Sequence, residues 1–185
     1  MGIKLDNEYL KDFLLVGYCH RPHGIKGGFS FNVLSREDDL LSKGIGVLLR
    51  PVNNLSSIPI DGETFEIENI SFGNKTIAYL EGVKDRNDVE SMVPFIIYRD
   101  RKDFPEPNFK AGQYFISDFL ELEVIDIEKD KPIGKIVSFY ENGVQTIFCI
   151  AGDKELELPF VETFFKEIDF TKRIVKILVP EYING

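Results

Sequence analysis

Gln113-Tyr114-Phe115-Ile116-Ser117-Asp118-Phe119-Leu120-Glu121-Leu122-Glu123-Val124 separates two unlike stretches of chain. Upstream, residues 99–112 carry Pro105, Pro107, Asn108 and Gly112. Proline fixes φ and removes a hydrogen-bond donor, so two prolines this close resist both a helix and a central strand. Residues 99–112 therefore read as a linker. Downstream, the pattern becomes a series of short alternating runs. Tyr114 and Phe115 thus stand at the entrance of a second domain. On a single strand they would point to opposite faces. One would then leave that domain's core and meet the linker, the first domain or a partner. Alternatively, both fill the end of the domain, since aromatic side chains are core material. Aromatics are also enriched at interface hot spots, so both readings stay open.

Working downstream, residues 120–127 alternate, with Leu120, Leu122 and Val124 against Glu121 and Glu123. Residues 130–132 form a turn and 133–140 a strand. Asn142-Gly143 suits a type I′ hairpin, because both residues accept positive φ cheaply. Residues 144–150 return, and Glu155-Leu156-Glu157-Leu158 alternates again. Pro159 can open a helical turn over 160–165, being tolerated at a first helical position. Residues 174–179 are the last strand. About five strands make a small barrel.

Upstream, residues 1–12 read as a loose extension, and 13–18 as an apolar strand. Cys19-His20-Arg21-Pro22-His23-Gly24-Ile25-Lys26-Gly27-Gly28 reads as a loop too long for a tight hairpin. Residues 29–33 alternate as a half-buried strand. Ser35 can cap a helical turn over 35–39. Strands follow at 46–50, 64–68, 76–80 and 95–98, with a short helix capped by Asp85 and ending before Pro94. Five or six short strands suggest another closed barrel. The expected fold is all-β: two small β-barrels joined by a Pro/Gly-containing linker, with one or two short helices. The expected domains are 1–98 and 113–185, with 99–112 between them.

A chain of 185 residues can hold two small domains. Two cysteines do not suffice for a disulfide framework, and a reducing compartment is the simpler expectation. Residues 1–6 lack the apolar core of a secretory signal, and no apolar run approaches the roughly 18 residues of a membrane span. The expected location is the cytoplasm. The net charge is −9. Residues 1–104 hold 13 Lys+Arg against 16 Asp+Glu, giving −3; the remainder holds 9 against 15, giving −6. Nucleic-acid affinity rests on neutralising phosphates, so an acidic chain is a poor general binder of RNA or DNA. The second part favours a basic partner instead, although net acidity also serves solubility.

The chemistry tested points to binding and not catalysis. Gly24, Gly27 and Gly28 could bring backbone N–H groups to a phosphate, but the Gly-Lys-Ser/Thr ending of a phosphate loop is missing. Arg21, His23 and Lys26 could contact an RNA backbone or another protein; such contacts position without reading bases. The competing reading is a wide loop whose glycines only satisfy positive φ. Cys19, His20 and His23 are zinc-ligand types, but the set falls short of four. No nucleophile has a visible base, and the carboxylates Glu155 and Glu157 share one solvated strand face. No metal, cofactor or small-molecule substrate is expected. The alternative function is a phosphate-binding or RNA-modifying enzyme using residues 20–28.

Several of these residues resemble one family. Val16-Gly17 with His23-Gly24-Ile25-Lys26-Gly27 is similar to the opening signature of the RimM family. Residues 80–90 look like the end of its N-terminal domain. Tyr114-Phe115 with Asp118-Phe119-Leu120 matches the paired aromatics that open its PRC-barrel domain. Gly134-Lys135-Ile136, Leu158-Pro159-Phe160-Val161 and residues 168–181 follow in order. Phe115 stands where the family commonly has Tyr, and Glu121 where it usually has Gly. The resemblance implies an N-terminal six-stranded barrel, a C-terminal PRC barrel and a non-enzymatic ribosome maturation factor. Such a factor assists assembly of the head of the small (30S) subunit and processing of its 16S rRNA. It implies as partners the nineteenth small-subunit ribosomal protein and the immature subunit with its RNA, with Tyr114 and Phe115 as partner-binding residues. A further alternative is a PRC-barrel adaptor in another assembly.

Overall fold

A computed structural model of the chain describes residues 9–33 and 40–180. The expected Ser35 cap lies outside these residues, as do residues 1–8 of the expected extension. The chain divides into two compact units, Met1–Pro105 and Glu106–Gly185.

In the first unit a helical turn α1 (Tyr9–Asp12) replaces the end of the expected loose extension. Strands β1 (Phe13–His23), β2 (Gly28–Val33), β3 (Gly46–Pro51), β4 (Glu63–Ser71), β5 (Thr76–Leu80) and β6 (Phe95–Asp100) follow, with helix α2 (Arg86–Met92) before β6. They close a barrel in the order β1-β2-β5-β4-β3-β6. Strand β1 closes it by pairing on both sides. It meets β6 from Phe13↔Asp100 to Cys19↔Phe95, and β2 from Gly17↔Val33 to His23↔Gly28. Inward positions are fully or nearly fully buried: Val16, Cys19, Phe29, Leu49, Leu80 and Phe95. Phe29 packs on Phe31 and Phe95, with ring centroids 5.5 and 5.3 Å away. Each such side chain contributes about 1.5–3 kcal/mol by leaving water.

The helix starts where its sequence says it should. Asp85 Oδ1 accepts the N–H groups of Asn87 (2.8 Å) and Asp88 (3.1 Å), and Asp88 Oδ2 accepts that of Asp85 (3.3 Å). This reciprocal cap satisfies donors that the first helical turn leaves unpaired. Val89 and Met92 form its buried face, and the helix ends ahead of Pro94.

Strand β6 runs on through Arg99 and Asp100, which the sequence assigned to the linker. Arg99 is only 4 % exposed. Its Nη1 donates to Leu40 O (2.6 Å), its Nη2 to Asp103 Oδ2 (2.7 Å), and its guanidinium lies 5.0 Å from the Phe104 ring centre. A buried charge is tolerated only when paired and hydrogen-bonded. These partners make the first part of the expected linker a piece of the first unit.

The second unit is a single six-stranded sheet rather than one of about five. Its strands are β7 (Glu123–Asp126), β8 (Lys131–Glu141), β9 (Thr146–Gly152), β10 (Leu156–Pro159), β11 (Phe165–Asp169) and β12 (Ile174–Ile177). The order is β10-β9-β8-β7-β12-β11, a half-barrel with β10 and β11 at its edges. Strand β12 pairs parallel to β7; the other pairs are antiparallel. The expected helical turn over 160–165 shrinks to a single turn over 161–165, in which Phe165 N–H also donates to Val161 O (3.0 Å), and it does not begin at Pro159. Pro159 pairs with Ile147 as the end of β10, a short turn follows (Phe164 N–H to Val161 O, 3.0 Å), and Phe165 enters β11. The expected type I′ turn is also corrected. Gly143 has φ +88° but Asn142 does not have positive φ. Asn142 Oδ1 instead accepts the N–H groups of Val144 and Gln145, both at 3.0 Å, a turn closed by its own side chain.

Glu121 takes φ +63°, the left-handed region that glycine enters freely. Its N–H donates to Ile136 O (2.8 Å), and Oε2 lies 3.4 Å from Lys135 Nζ.

Candidate partner-binding site

The breaker-rich residues before Tyr114 have a local job. Asn108 N–H donates to Gln113 O (2.6 Å), and Gln113 N–H donates back to Asn108 O (3.1 Å). Asn108 Oδ1 accepts from Ala111 N–H (3.2 Å), and Gly112 takes φ +70°. The ring so closed brings Phe109 onto Tyr114, centroids 5.3 Å apart. A short 3-10 turn, Ile116–Phe119, follows, with Phe115 N–H donating to Asp118 Oδ2 at 2.8 Å. Tyr114 and Phe115 therefore do not share a strand, and the opposite-faces argument does not apply to them.

The two aromatics part company in burial. Phe115 is 9 % exposed. Tyr114 is half-buried and packs against Phe119 (5.5 Å), Phe170 (6.2 Å) and Phe160 (6.3 Å) as well as Phe109. Phe119, fully buried, is the hub. Its ring also meets Phe148 (5.0 Å), Phe160 (4.9 Å) and Phe170 (5.1 Å). Phe115 thus behaves as core, while Tyr114 is the member of an aromatic cluster that keeps a face near solvent.

The second candidate, residues 20–28, is not the wide loop expected. Strand β1 continues to His23, which pairs with Gly28, leaving residues 24–27 as the turn of a hairpin. The register shifts between Cys19 and Arg21, so His20 is the extra residue of a bulge, which bends the strand and holds its pairing. Pro22 lies beyond the last β6 partner, where β1 is paired on one side only and a missing donor is tolerated. A Cβ on Gly27 would sit 2.6 Å from Val83 O. The glycine there admits the unit's own backbone rather than a phosphate. Arg21, His23 and Lys26 are all exposed. Arg86 N–H donates to Ile25 O (3.2 Å), so the turn is tied to the start of α2 and brings the exposed Lys84 and Arg86 near it. Sequence reading missed these two, because only the register of β2 on β5 and the Gly27–Val83 contact join them.

Cys19 is turned inward and fully buried. Its Sγ lies 3.4 Å from Arg21 O and from Ser30 O. Burial pushes its thiol up to about 12, against a smaller lowering by a backbone hydrogen bond with Arg21. His20 and His23 are exposed, so the three zinc-type residues do not converge. On the second unit, Tyr140 Oη donates to Glu157 Oε2 (3.0 Å), which raises the tyrosine's pKa.

Comparison with known proteins covers both units. A family model described as the RimM N-terminal domain matches residues 14–104, and one described as the RimM PRC barrel domain matches residues 116–183. Among curated relatives, the ribosome maturation factor RimM of Staphylococcus aureus (strain bovine RF122 / ET3-1) is 27% identical over 165 residues, spanning 89% of this chain and 94% of that one. The factor of the same name from Staphylococcus epidermidis is 28% identical over 167 residues, spanning 90% and 95%. A crystal structure from Pseudomonas aeruginosa, described as a RimM 16S ribosomal RNA processing protein, aligns with TM-score 0.43 at 21% identity, covering 91% of this chain and 98% of that one.

Proposed function

We propose a function from this premise: the chain belongs to the RimM family of ribosome maturation factors. It acts in the cytoplasm on the head of the small subunit, as a binding protein and not an enzyme. Its partner is a basic ribosomal protein, the nineteenth of the small subunit, held by the second unit. The observation that carries this reading is the match of both domain families together with the −6 charge of residues 106–185. An acidic surface speeds encounter with a basic partner and rejects acidic ones. Tyr114 supplies a contact ring, and Phe115 holds the turn that presents it. Arg21, His23 and Lys26, with Lys84 and Arg86, give the first unit a place to touch phosphates of the immature subunit's RNA. Mechanistically, binding stabilises one arrangement of protein and RNA, and the factor leaves when the mature surface competes for the same contacts. No bond is made or broken.

The test is titration of the purified ribosomal protein into wild type, Tyr114→Ala and Phe115→Ala, with thermal melts alongside. The expected result is salt-sensitive binding by wild type, weakened by Tyr114→Ala at temperatures where the variant is still folded, while Phe115→Ala lowers the melt further than Tyr114→Ala does. A wild type that fails to bind at micromolar concentration would overturn the partner assignment.

A further inference from the structure

Strand β10 leaves one side of its backbone unused. Its register with β9 is Leu156↔Ile150, Glu157↔Cys149, Leu158↔Phe148, Pro159↔Ile147. One residue on, Phe160 N–H donates to Thr146 O (2.9 Å). Antiparallel pairs alternate between bonded and non-bonded. Counting back from Phe160, Leu158 and Leu156 bond to β9, whereas Glu157 and Pro159 point their backbone groups away from it. Pro159 confirms the parity, because a residue without N–H sits at an edge strand position whose N–H would face outward. The C=O of Pro159 is already taken by Val161 N–H (2.9 Å), so the outward groups left are the N–H and C=O of Glu157. Among the described residues no strand takes them up.

The side chains say what would. Leu156 and Leu158 face the core, and Glu155 and Glu157 are exposed. Glu157 is steadied by Tyr140. Acidic residues on an edge repel a second copy of the same edge, and they attract a strand carrying Lys or Arg at every second position. The opposite edge, β11, is a poorer template. Its register is broken between Phe165 and Glu167, and its charged side chains are engaged: Lys166 Nζ with Glu162 O (2.9 Å) and Glu167 with Lys176 Nζ of β12 (3.3 Å).

We propose that edge strand β10 is a docking site for an extended basic segment of a protein partner, which adds to the sheet by bonding Glu157 N–H and C=O while its cations meet Glu155 and Glu157. The inference rests on the function proposed above only for naming that partner as ribosomal; the edge itself needs a basic extended peptide. Added strands draw affinity from main-chain bonds and specificity from alternate side chains.

The probe is the peptide acetyl-Lys-Val-Arg-Val-Lys-Val-Arg-amide, titrated into the ¹⁵N-labelled full chain. Shifts are expected at the amides of residues 155–158 and at their β9 partners. Glu157→Pro removes the outward N–H and no β9–β10 bond. It is expected to weaken binding about tenfold, the loss of roughly one hydrogen bond. Glu157→Gln keeps an acceptor for Tyr140 and is expected to cost about threefold, the scale of one exposed charge pair. The peptide N-methylated at its central residues leaves the protein untouched and is expected to lose about tenfold as well. No binding, shifts confined to β11 or the first unit, or full affinity for the N-methylated peptide would each overturn the proposal. Co-sedimentation with small ribosomal subunits separates the two ideas. Wild type and Glu157→Pro sedimenting equally would overturn the edge as the docking site and leave the proposed function standing. Peptide binding by a wild type that does not sediment would support the edge and refute that function.

Discussion

Glu121 offers a measurement whose sign is fixed by its backbone. At φ +63° a residue with a Cβ carries roughly 1–2 kcal/mol of local strain. Glycine removes that strain but loses about 0.5–1 kcal/mol more conformational entropy on folding. The ion pair to Lys135 is 3.4 Å long, with Lys135 54 % exposed, so after solvent screening it contributes about 0.3 kcal/mol. Glu121→Gly should therefore stabilise the second unit by about 0.5 kcal/mol, whereas Glu121→Ala keeps the strain, loses the pair and should destabilise slightly. The Gly variant should exceed the Ala variant by about 1 kcal/mol, or about 4–8 °C in Tm for a unit of this size. At an ordinary strand position the order would be reversed. Two units in one chain need not melt together, so the assay is amide hydrogen exchange of β7 and β12, which reports the second unit alone. An Ala variant as stable as the Gly variant would refute the argument that positive φ at residue 121 favours glycine.

Other consequences follow from burial and pairing. Phe119→Ala should destabilise the second unit by about 3–5 kcal/mol, against under about 1.5 kcal/mol for Phe119→Leu; urea unfolding of the two variants checks it. Cys149, half-buried, should react with a thiol reagent at pH 8 in the native chain, while Cys19, with its thiol raised to about 12, should react only after unfolding; mass spectrometry of the labelled peptides reads this directly. The Asp169 carboxyl is held below its ordinary 3.8 by the N–H of Lys172. That contribution is present above the unfolded value and is lost as pH falls through the folded one, so Asp169→Asn should flatten the acid limb of the stability–pH curve while leaving its alkaline limb alone.

What the sequence disclosed was local, and what it withheld was long-range. The start of α2 was legible because Asp85, Asp88 and Pro94 act within a few residues of one another. The division near the prolines was legible for the same reason, although buried Arg99 shifted its beginning by tying β6 to Leu40, far away in sequence. The hairpin at 13–33 was hidden by its composition. Pro22 and the glycines look like loop residues, and only the one-sided pairing of β1 and the bulge at His20 make them strand and turn. Strand β11 was hidden because the apolar run 160–165 fits a helix as well as a turn. Neither the parallel β7–β12 pair nor the burial difference between Tyr114 and Phe115 leaves a local signature. Both arise from residues some 50 positions apart.

The last strand of the sheet is not its last in space. Strand β12 lies between β7 and β11, so it holds the start of the second unit beside its end. A stop codon after Arg173 would remove an interior strand, leaving β7 paired with β8 alone and β11 with no neighbour, whereas losing a peripheral strand would merely narrow the sheet. During synthesis, the first unit has all its strands once residue 100 has emerged, but the second waits for residue 177 before its sheet can be completed. An mRNA truncated within the final codons of that strand would thus release a finished first unit joined to an unfinished second one, a substrate for proteolysis.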